Sequence, residues 1–365
     1  DEIDLWWKTV RNEYPPNSNK LEILAELNIL SWINKFTFAN LLKRYFNQAK
    51  KIEDIVESTT TTEALQIIKT ISSNCDFYNI FKTQIANEII PDLIWRDLKN
   101  LNNFLVDSHV QDIDSSDWHK IFEELISVKH RKLYGQYSTP QALARLLVNL
   151  TIENKNLRVL DPCCGTGTIV KEAFNLKKQY SVNKEFIQDK IWASDKIAFP
   201  LQLATISLFN PNETKEVINV FQEDVADLNI DKNILFFDPN NGNEIYKKLP
   251  GFDYIVSNLP FVKGQNIPDY NEKIRRINDF ITHNLGNEYK LDSRADLAYY
   301  IPFKLWTLLN NNGKLGIIIS NSWLGTDTGA IFRNSLRKFF CIENIVTSCN
   351  GRWFDNAKVI TIEDT

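Results

Sequence analysis

LRVLDPCCGTG, residues 157–167, joins a short apolar strand to a glycine turn, and the fold is read outward from it. Val159 and Leu160 form the strand, and Asp161 closes it. Gly165 and Gly167 let the backbone turn tightly and approach a ligand with no Cβ in the way. Such a loop at the C-terminal edge of a first strand is where open α/β sheets bind nucleotide-like ligands. It lacks the Gly-Lys-Ser/Thr of a phosphate cradle, and G-x-G-x-x-G is absent as well. The acid at its start suits a cationic ligand better than a pyrophosphate. The plainer reading of a lone Gly-x-Gly is a structural turn.

Downstream, β-rich apolar runs recur at KIWASD, VINVFQED, FDYIVSN and KLGIIIS, separated by helical stretches such as PLQLATISLF and LAYYIPFKLWTLL. Strands alternating with helices predict an α/β fold, a parallel sheet covered by helices on both faces. Upstream, LEILAELNILSWINKF and IIPDLIWRDLKNLNNFL place apolar residues at helical spacing. The polar residues 58–62 read as a loop ending at a helix N-cap before Glu63. The expected division is an N-terminal helical domain over 1–128 and an α/β domain over 129–365.

Composition narrows the class. The 365 residues carry 42 Lys+Arg against 46 Asp+Glu, with 43% hydrophobic residues, as in a globular protein. No apolar run is long enough to span a bilayer, so no membrane partner is expected. The five cysteines are odd in number and form no C-x-x-C pair, which predicts a reducing, cytoplasmic setting and neither a disulfide framework nor zinc. The four histidines (His109, His119, His130, His283) show no ligand spacing. Met is absent and the chain starts at Asp1, so we expect a module cut from a longer chain. The slight net acidity leaves nucleic acid open as a partner. Lys129, Arg131, Lys132, Arg145, Lys155 and Arg158 face a single acid, Glu153, across that segment. They predict either a phosphate track or a solvated face.

Three further features carry chemistry. Asp195 closes the next strand, where an acid accepts hydrogen bonds from ribose hydroxyls. SNLPF (257–261) ends the strand FDYIV, and an Asn and a Phe flanking a proline fit a flat ring stacked beside an amide. Asn and Pro also favour a plain turn. GQYSTP (135–140) precedes the helix QALARLLVNL, where Thr139 and Pro140 read as N-cap and first-turn proline. Its aromatic and polar residues exceed what a cap requires. Pro162-Cys163 lies in the glycine loop, so a thiolate nucleophile there would face the wrong ligand. Trp323 reads as a core residue.

Taken in order, GQYSTP, DPCCGTG and SNLPF resemble the gamma-class amino-methylating DNA methyltransferases, both type I modification subunits and fused type II enzymes. DLAYYIPFKLWTLLNNNGKLGIIISNSWLGTDTG (296–329) and RWFDNAKVIT (352–361) are similar to that family's later strands, so the resemblance covers about residues 128–365. It implies a Rossmann-like sheet dependent on S-adenosylmethionine. It implies transfer of a methyl group to adenine N6 of flipped-out bases in double-stranded DNA, within a restriction-modification system. The partners implied are a specificity subunit and a restriction subunit or fused domain. By the same resemblance Gln136, Tyr137, Ser138 and Thr139 line the cofactor pocket. Asp161, Gly165, Thr166 and Gly167 cradle the cofactor's amino-acid end, Asp195 holds the ribose, and Asp224 faces the adenine. Asn258, Leu259, Pro260 and Phe261 form the catalytic motif. The family has two prolines where this chain has Leu259-Pro260, so Asn258 loses the extended restraint that a following proline imposes. The alternatives are methylation of RNA or of a protein glutamine amide, and an inactive DNA-binding scaffold.

Overall fold

The computed structural model describes residues 2–11, 17–75, 78–81, 85–112, 139–180, 187–208, 217–238, 243–260, 270–292 and 295–348. The chain forms two compact units. One comprises Asp1–Phe122, Thr205–Ile218 and Asn233–Lys247, and the other Glu123–Ala204, Asn219–Lys232 and Lys248–Thr365.

The first unit is mainly helical: α1 (Glu2–Val10), α2 (Lys20–Leu42), α3 (Thr61–Cys75), α4 (Tyr78–Phe81) and α5 (Asp92–Asp107). Asn19 caps α2, its side chain accepting from the N–H of Leu21 at 3.0 Å. At α3, Thr60 and Glu63 close a capping box: the Thr60 N–H donates to Glu63 Oε2 (2.8 Å) and the Glu63 N–H to Thr60 Oγ1 (3.3 Å). In the core Trp32 meets Trp95 edge-on at 4.8 Å. Both indoles stay satisfied while buried, because Trp32 Nε1 donates to Asn87 O (3.1 Å) and Trp95 Nε1 to Thr59 O (2.8 Å).

A two-stranded sheet of β4 (Asn233–Phe237) and β5 (Glu244–Lys248) falls outside the strand runs expected from sequence. Its exposure alternates residue by residue, as one-sided strands do.

The second unit holds a five-stranded, wholly parallel sheet in the order β3-β2-β1-β6-β7. Its strands are β1 (Val159–Asp161), β2 (Ile191–Asp195), β3 (Asn219–Gln222), β6 (Phe252–Asn258) and β7 (Leu309–Ile318). β1 and β2 are buried along their whole length, the mark of a parallel sheet covered on both faces. The connecting helices are α6 (Gln141–Thr151), α7 (Thr168–Tyr180), α8 (Ala198–Leu208), α9 (Tyr270–Leu285), α10 (Leu297–Trp306) and α11 (Asp327–Phe339). This is a Rossmann-like α/β fold. Chain progression runs β1, β2, β3 to one side, whereas β6 and β7 lie on the other side of β1. That reversal makes β1/β6 the topological switch point, the place where open α/β sheets hold ligands. Asp161 ends β1 and Asn258 ends β6. No described helix is long and apolar enough to cross a membrane.

Candidate functional site

The glycine loop is built between the ends of β1 and β2. The Cys164 N–H donates to Ser194 O (2.9 Å) and the Gly167 N–H to Cys164 O (2.8 Å). Gly165 and Gly167 take φ of +51° and +91°, left-handed values that a side chain would strain. A Cβ added at Gly165 would meet nothing within 4 Å among the described residues, so among them that face of the loop is open. Both oxygens of Asp195 brace the turn: Oδ2 accepts from the Gly165 N–H and Oδ1 from the Ile197 N–H, each at 2.9 Å. Burial raises Asp195 to about 6 against the pull of those two bonds, and the Asp224 charge adds to the rise.

Asp161 is buried beneath the loop. Its Oδ1 accepts from Ser257 Oγ (2.7 Å) and from the Cys163 N–H (3.2 Å). Its Oδ2 is buried with no hydrogen-bond partner among the described residues. Burial pushes Asp161 up to about 7, and the nearby Asp195 charge works in the same direction. A buried carboxylate oxygen without a donor is costly, and a cationic group beside it removes that cost. The neighbouring Cys163 thiol is pushed up by burial and then by Asp195 and Asp161, so it stays protonated and a poor nucleophile.

Ser257 ties the two sides of the switch point together, bonding Asp161 from the strand that delivers Asn258 one residue later. Asn258 pairs with Ile318 in the β6–β7 ladder, and its Nδ2 donates to Thr139 Oγ1 at 3.0 Å. The cap reading of Thr139 needs correction: Pro140 occupies the N-cap of α6, which frees the Thr139 hydroxyl to face Asn258. Leu259 supplies a restraint that a proline cannot. Its N–H donates to Ile318 O (3.1 Å), and its side chain is buried. Leu259→Pro removes that donor and leaves the carbonyl orphaned. We expect a loss of about 1–3 kcal/mol in urea unfolding; unchanged stability would show that this bond contributes nothing.

Asp224 lies just past β3. Its Oδ1 accepts from the Ala226 N–H (3.0 Å), and its Oδ2 pairs with Lys273 of α9. Burial works to raise Asp224, but the Lys273 ammonium prevails and holds it below the ordinary carboxylate range. One turn along α9, Arg276 pairs with Asp227 at 2.8 Å. Glu172 of α7 is the corresponding strut on the other side. It accepts from Gln141 Nε2 (2.9 Å) and Arg145 Nε (3.1 Å), fastening the start of α6 to the helix that follows the glycine loop. Glu172→Ala should lower stability by about 1.5–3 kcal/mol in urea unfolding, the range for hydrogen bonds to a charged group; a shift below about 0.5 kcal/mol would reject the strut.

Thus Thr139, Asp161, Gly165, Thr166, Gly167, Asp195, Asp224, Asn258, Leu259 and Pro260 sit at or just beyond neighbouring C-terminal strand ends or at the start of α6. Gln136, Tyr137, Ser138 and Phe261 lie outside the described residues, as do Lys129, Arg131 and Lys132 of the basic stretch. Of the remaining cations there, Arg145 is engaged by Glu172, and Lys155 by the Glu153 carbonyl and the Tyr180 ring. Trp323 is a core residue, edge-on to Phe332. Sequence reasoning gave no role to Ser257, Glu172 or Lys273. Only Ser257 carried a signal, as neighbour of the singled-out Asn.

The chain is similar to the type II methyltransferase M.AccI of Acinetobacter calcoaceticus, 24% identical over 226 residues. Those residues are 62% of this chain and 35% of that protein. The chain thus spans about a third of the length of the curated relatives it matches. The fold matches the type IIG restriction endonuclease BpuSI (TM-score 0.56, 16% identity, 92% of this chain and 36% of that one). It also matches DrdV in its DNA complex (TM-score 0.57, 15% identity, 93% and 34%). The family model for N-6 DNA methylase matches residues 115–361, well over half of the sequence, and the chain belongs to that family.

Proposed function

We propose that the chain transfers a methyl group from S-adenosylmethionine to adenine N6 in double-stranded DNA, as the modification module of a restriction-modification system. The observation that carries this reading is the Ser257–Asp161 bond at the switch point. It joins β6, the strand that ends in Asn258, to the Asp161 carboxylate beneath the glycine loop.

The residues fit the cofactor. The orphaned Asp161 Oδ2 suits its α-ammonium, and the open face at Gly165 leaves room for its methionine end. Asp195 ends the next strand and Asp224 lies just past the one after it, where the ribose and adenine lie in this reading. When bound, S-adenosylmethionine supplies a methyl group made electrophilic by its sulfonium. The adenine amine is a weak nucleophile because its lone pair is delocalised into the ring. Asn258 Oδ1 and the Leu259 carbonyl accept its two hydrogens and draw the nitrogen towards tetrahedral geometry, with the lone pair freed for in-line attack. Asn258 Oδ1 and the Leu259 carbonyl would thus hold the amine in line with the methyl group that the cofactor would supply, and the amine would give up one proton in exchange for that group. Alignment of the two partners supplies much of the rate. A duplex base reaches such a site only when flipped out, at a cost of a few kcal/mol. Phe261 serves as its stacking surface in this reading.

The named relatives support the restriction-modification setting. A specificity subunit, a restriction subunit or a fused domain supplies target choice and cleavage, and the compartment is the cytoplasm. The test incubates the protein with methyl-labelled S-adenosylmethionine and unmethylated duplex DNA, then digests to nucleosides. Label in N6-methyladenosine supports the reading. Label in RNA or in protein glutamine, or bound cofactor with no transfer, overturns it.

A further inference from the structure

Thr139 and Asn258 are 119 residues apart in sequence, yet Asn258 Nδ2 donates to Thr139 Oγ1 at 3.0 Å. We propose that Thr139 is the positioning residue for Asn258. Its hydroxyl holds the amide plane so that the oxygen, at the opposite end from Nδ2, is presented to the substrate amine. The inference rests on the catalytic reading of Asn258 given above and adds to it a residue that touches neither reacting atom.

The argument is one of donors and acceptors. An amide donates at one end and accepts at the other. Flipped about its last torsion, Asn258 would turn N–H groups towards the amine hydrogens, donor against donor. The observed arrangement is the productive one. It needs an acceptor for Nδ2 that lies to the side and is itself immobile.

Thr139 meets both conditions. It is buried, and Pro140 holds φ at −54° at the cap of α6. The first turns of α6 are fastened to Glu172 of α7 through Gln141 and Arg145. Helix α7 in turn starts at the glycine loop, since the Lys171 N–H donates to Gly167 O at 2.8 Å. The hydroxyl that orients Asn258 is therefore referenced to the same frame as the cofactor loop. This is the geometric requirement for in-line transfer.

Thr139→Val keeps the shape of the side chain and removes the acceptor, whereas Thr139→Ser keeps the acceptor. For Thr139→Val we expect kcat to fall about 10–100-fold. The KM for DNA and the Kd for S-adenosylmethionine should stay within about threefold. Thr139→Ser should recover most of the rate. A rate unchanged in Thr139→Val, a serine variant as slow as the valine variant, or a cofactor affinity that falls in step with the rate would each overturn the proposal. The last would make Thr139 a cofactor ligand instead.

A second readout is independent of turnover. In protein labelled with 15N-asparagine, the Asn258 side-chain amide is assigned by its absence from Asn258→Ala. Its resonance should shift in Thr139→Val and return in Thr139→Ser; a resonance that ignores the valine substitution overturns the proposal. Wild-type protein that binds cofactor but methylates no adenine fails differently. It overturns the methyltransferase reading, and with it the catalytic half of this inference, whatever the amide resonance shows.

Discussion

Asn258→Ala should lower the rate of methyl transfer to DNA by about 10²–10³-fold, the range for deleting one preorganised polar group at a reacting centre. S-adenosylmethionine binding should change by less than about threefold. The reason lies in the position of the side chain. Asn258 ends β6 on the far side of the switch point from the loop, and it is held by Thr139, outside the Asp161–Ser257 contact. On the proposed mechanism, truncation removes the acceptor for one amine hydrogen but leaves the loop, its glycines and both buried carboxylates in place. Single-turnover transfer of labelled methyl, with cofactor affinity measured separately by calorimetry, checks both halves. A variant that binds and transfers like wild type would place the amine's acceptor elsewhere.

The second large effect is in pH. Asp161 is raised to about 7 by burial, from an ordinary value of 3.8. Between those two values the folded protein holds a proton that the unfolded chain has released. Ligand-free stability should therefore fall as pH rises from about 4 to about 7, by an amount on the order of 2–4 kcal/mol. Cofactor affinity should move the opposite way. In the proposed pairing the α-ammonium is best met by an ionised Asp161, so binding should tighten as pH rises through 7.

Asp161→Asn preserves an oxygen for the Ser257 hydroxyl but abolishes the titration. Its stability should exceed that of wild type at pH 8 and match it near pH 4. Its cofactor affinity should be at least tenfold weaker at pH 8 and nearly flat above pH 7. Asp195, raised from 3.8 to about 6, continues to titrate in the variant, so a residual fall in stability between about pH 4 and pH 6 is expected. Urea unfolding and calorimetry across pH 4–8 measure both trends. Parallel wild-type and Asp161→Asn profiles would show that Asp161 is not the group that titrates.

The readability of the site from sequence differs from residue to residue. Asp161, Asp195 and Asn258 were legible because each stands at the end of an apolar run, and a parallel sheet carries all such ends to one edge. The β4–β5 hairpin was overlooked although its signal is local: ILFF and EIYKK flank Asp238-Pro239-Asn240-Asn241-Gly242-Asn243, a cluster of turn formers. Thr139 was misassigned for a physical reason. Thr-Pro before a helical run has the same local pattern whether the hydroxyl caps the helix or turns away. Only the arrival of Asn258 from a distant strand decides between them. The bond that fixes Leu259 was equally hidden, since its acceptor is Ile318 in a neighbouring strand. Lys273, reaching Asp224 from α9, had no local signature at all.

By itself the sequence determined the elements and their chemistry: apolar runs short enough to be strands, glycines where φ must be positive, and acids and an amide at strand ends. Those properties depend on near neighbours, within the reach of a turn or a pleat. The tertiary structure alone decided which of these groups meet. It set Ser257 against Asp161, Thr139 against Asn258, and Glu172 against Gln141 and Arg145. It also decided that Asp161 is buried deeply enough to hold its proton near neutral pH. Burial and pairing across dozens of residues follow from how strands stack side by side. A one-dimensional pattern records the ends of strands, whereas their neighbours emerge only when the sheet is assembled.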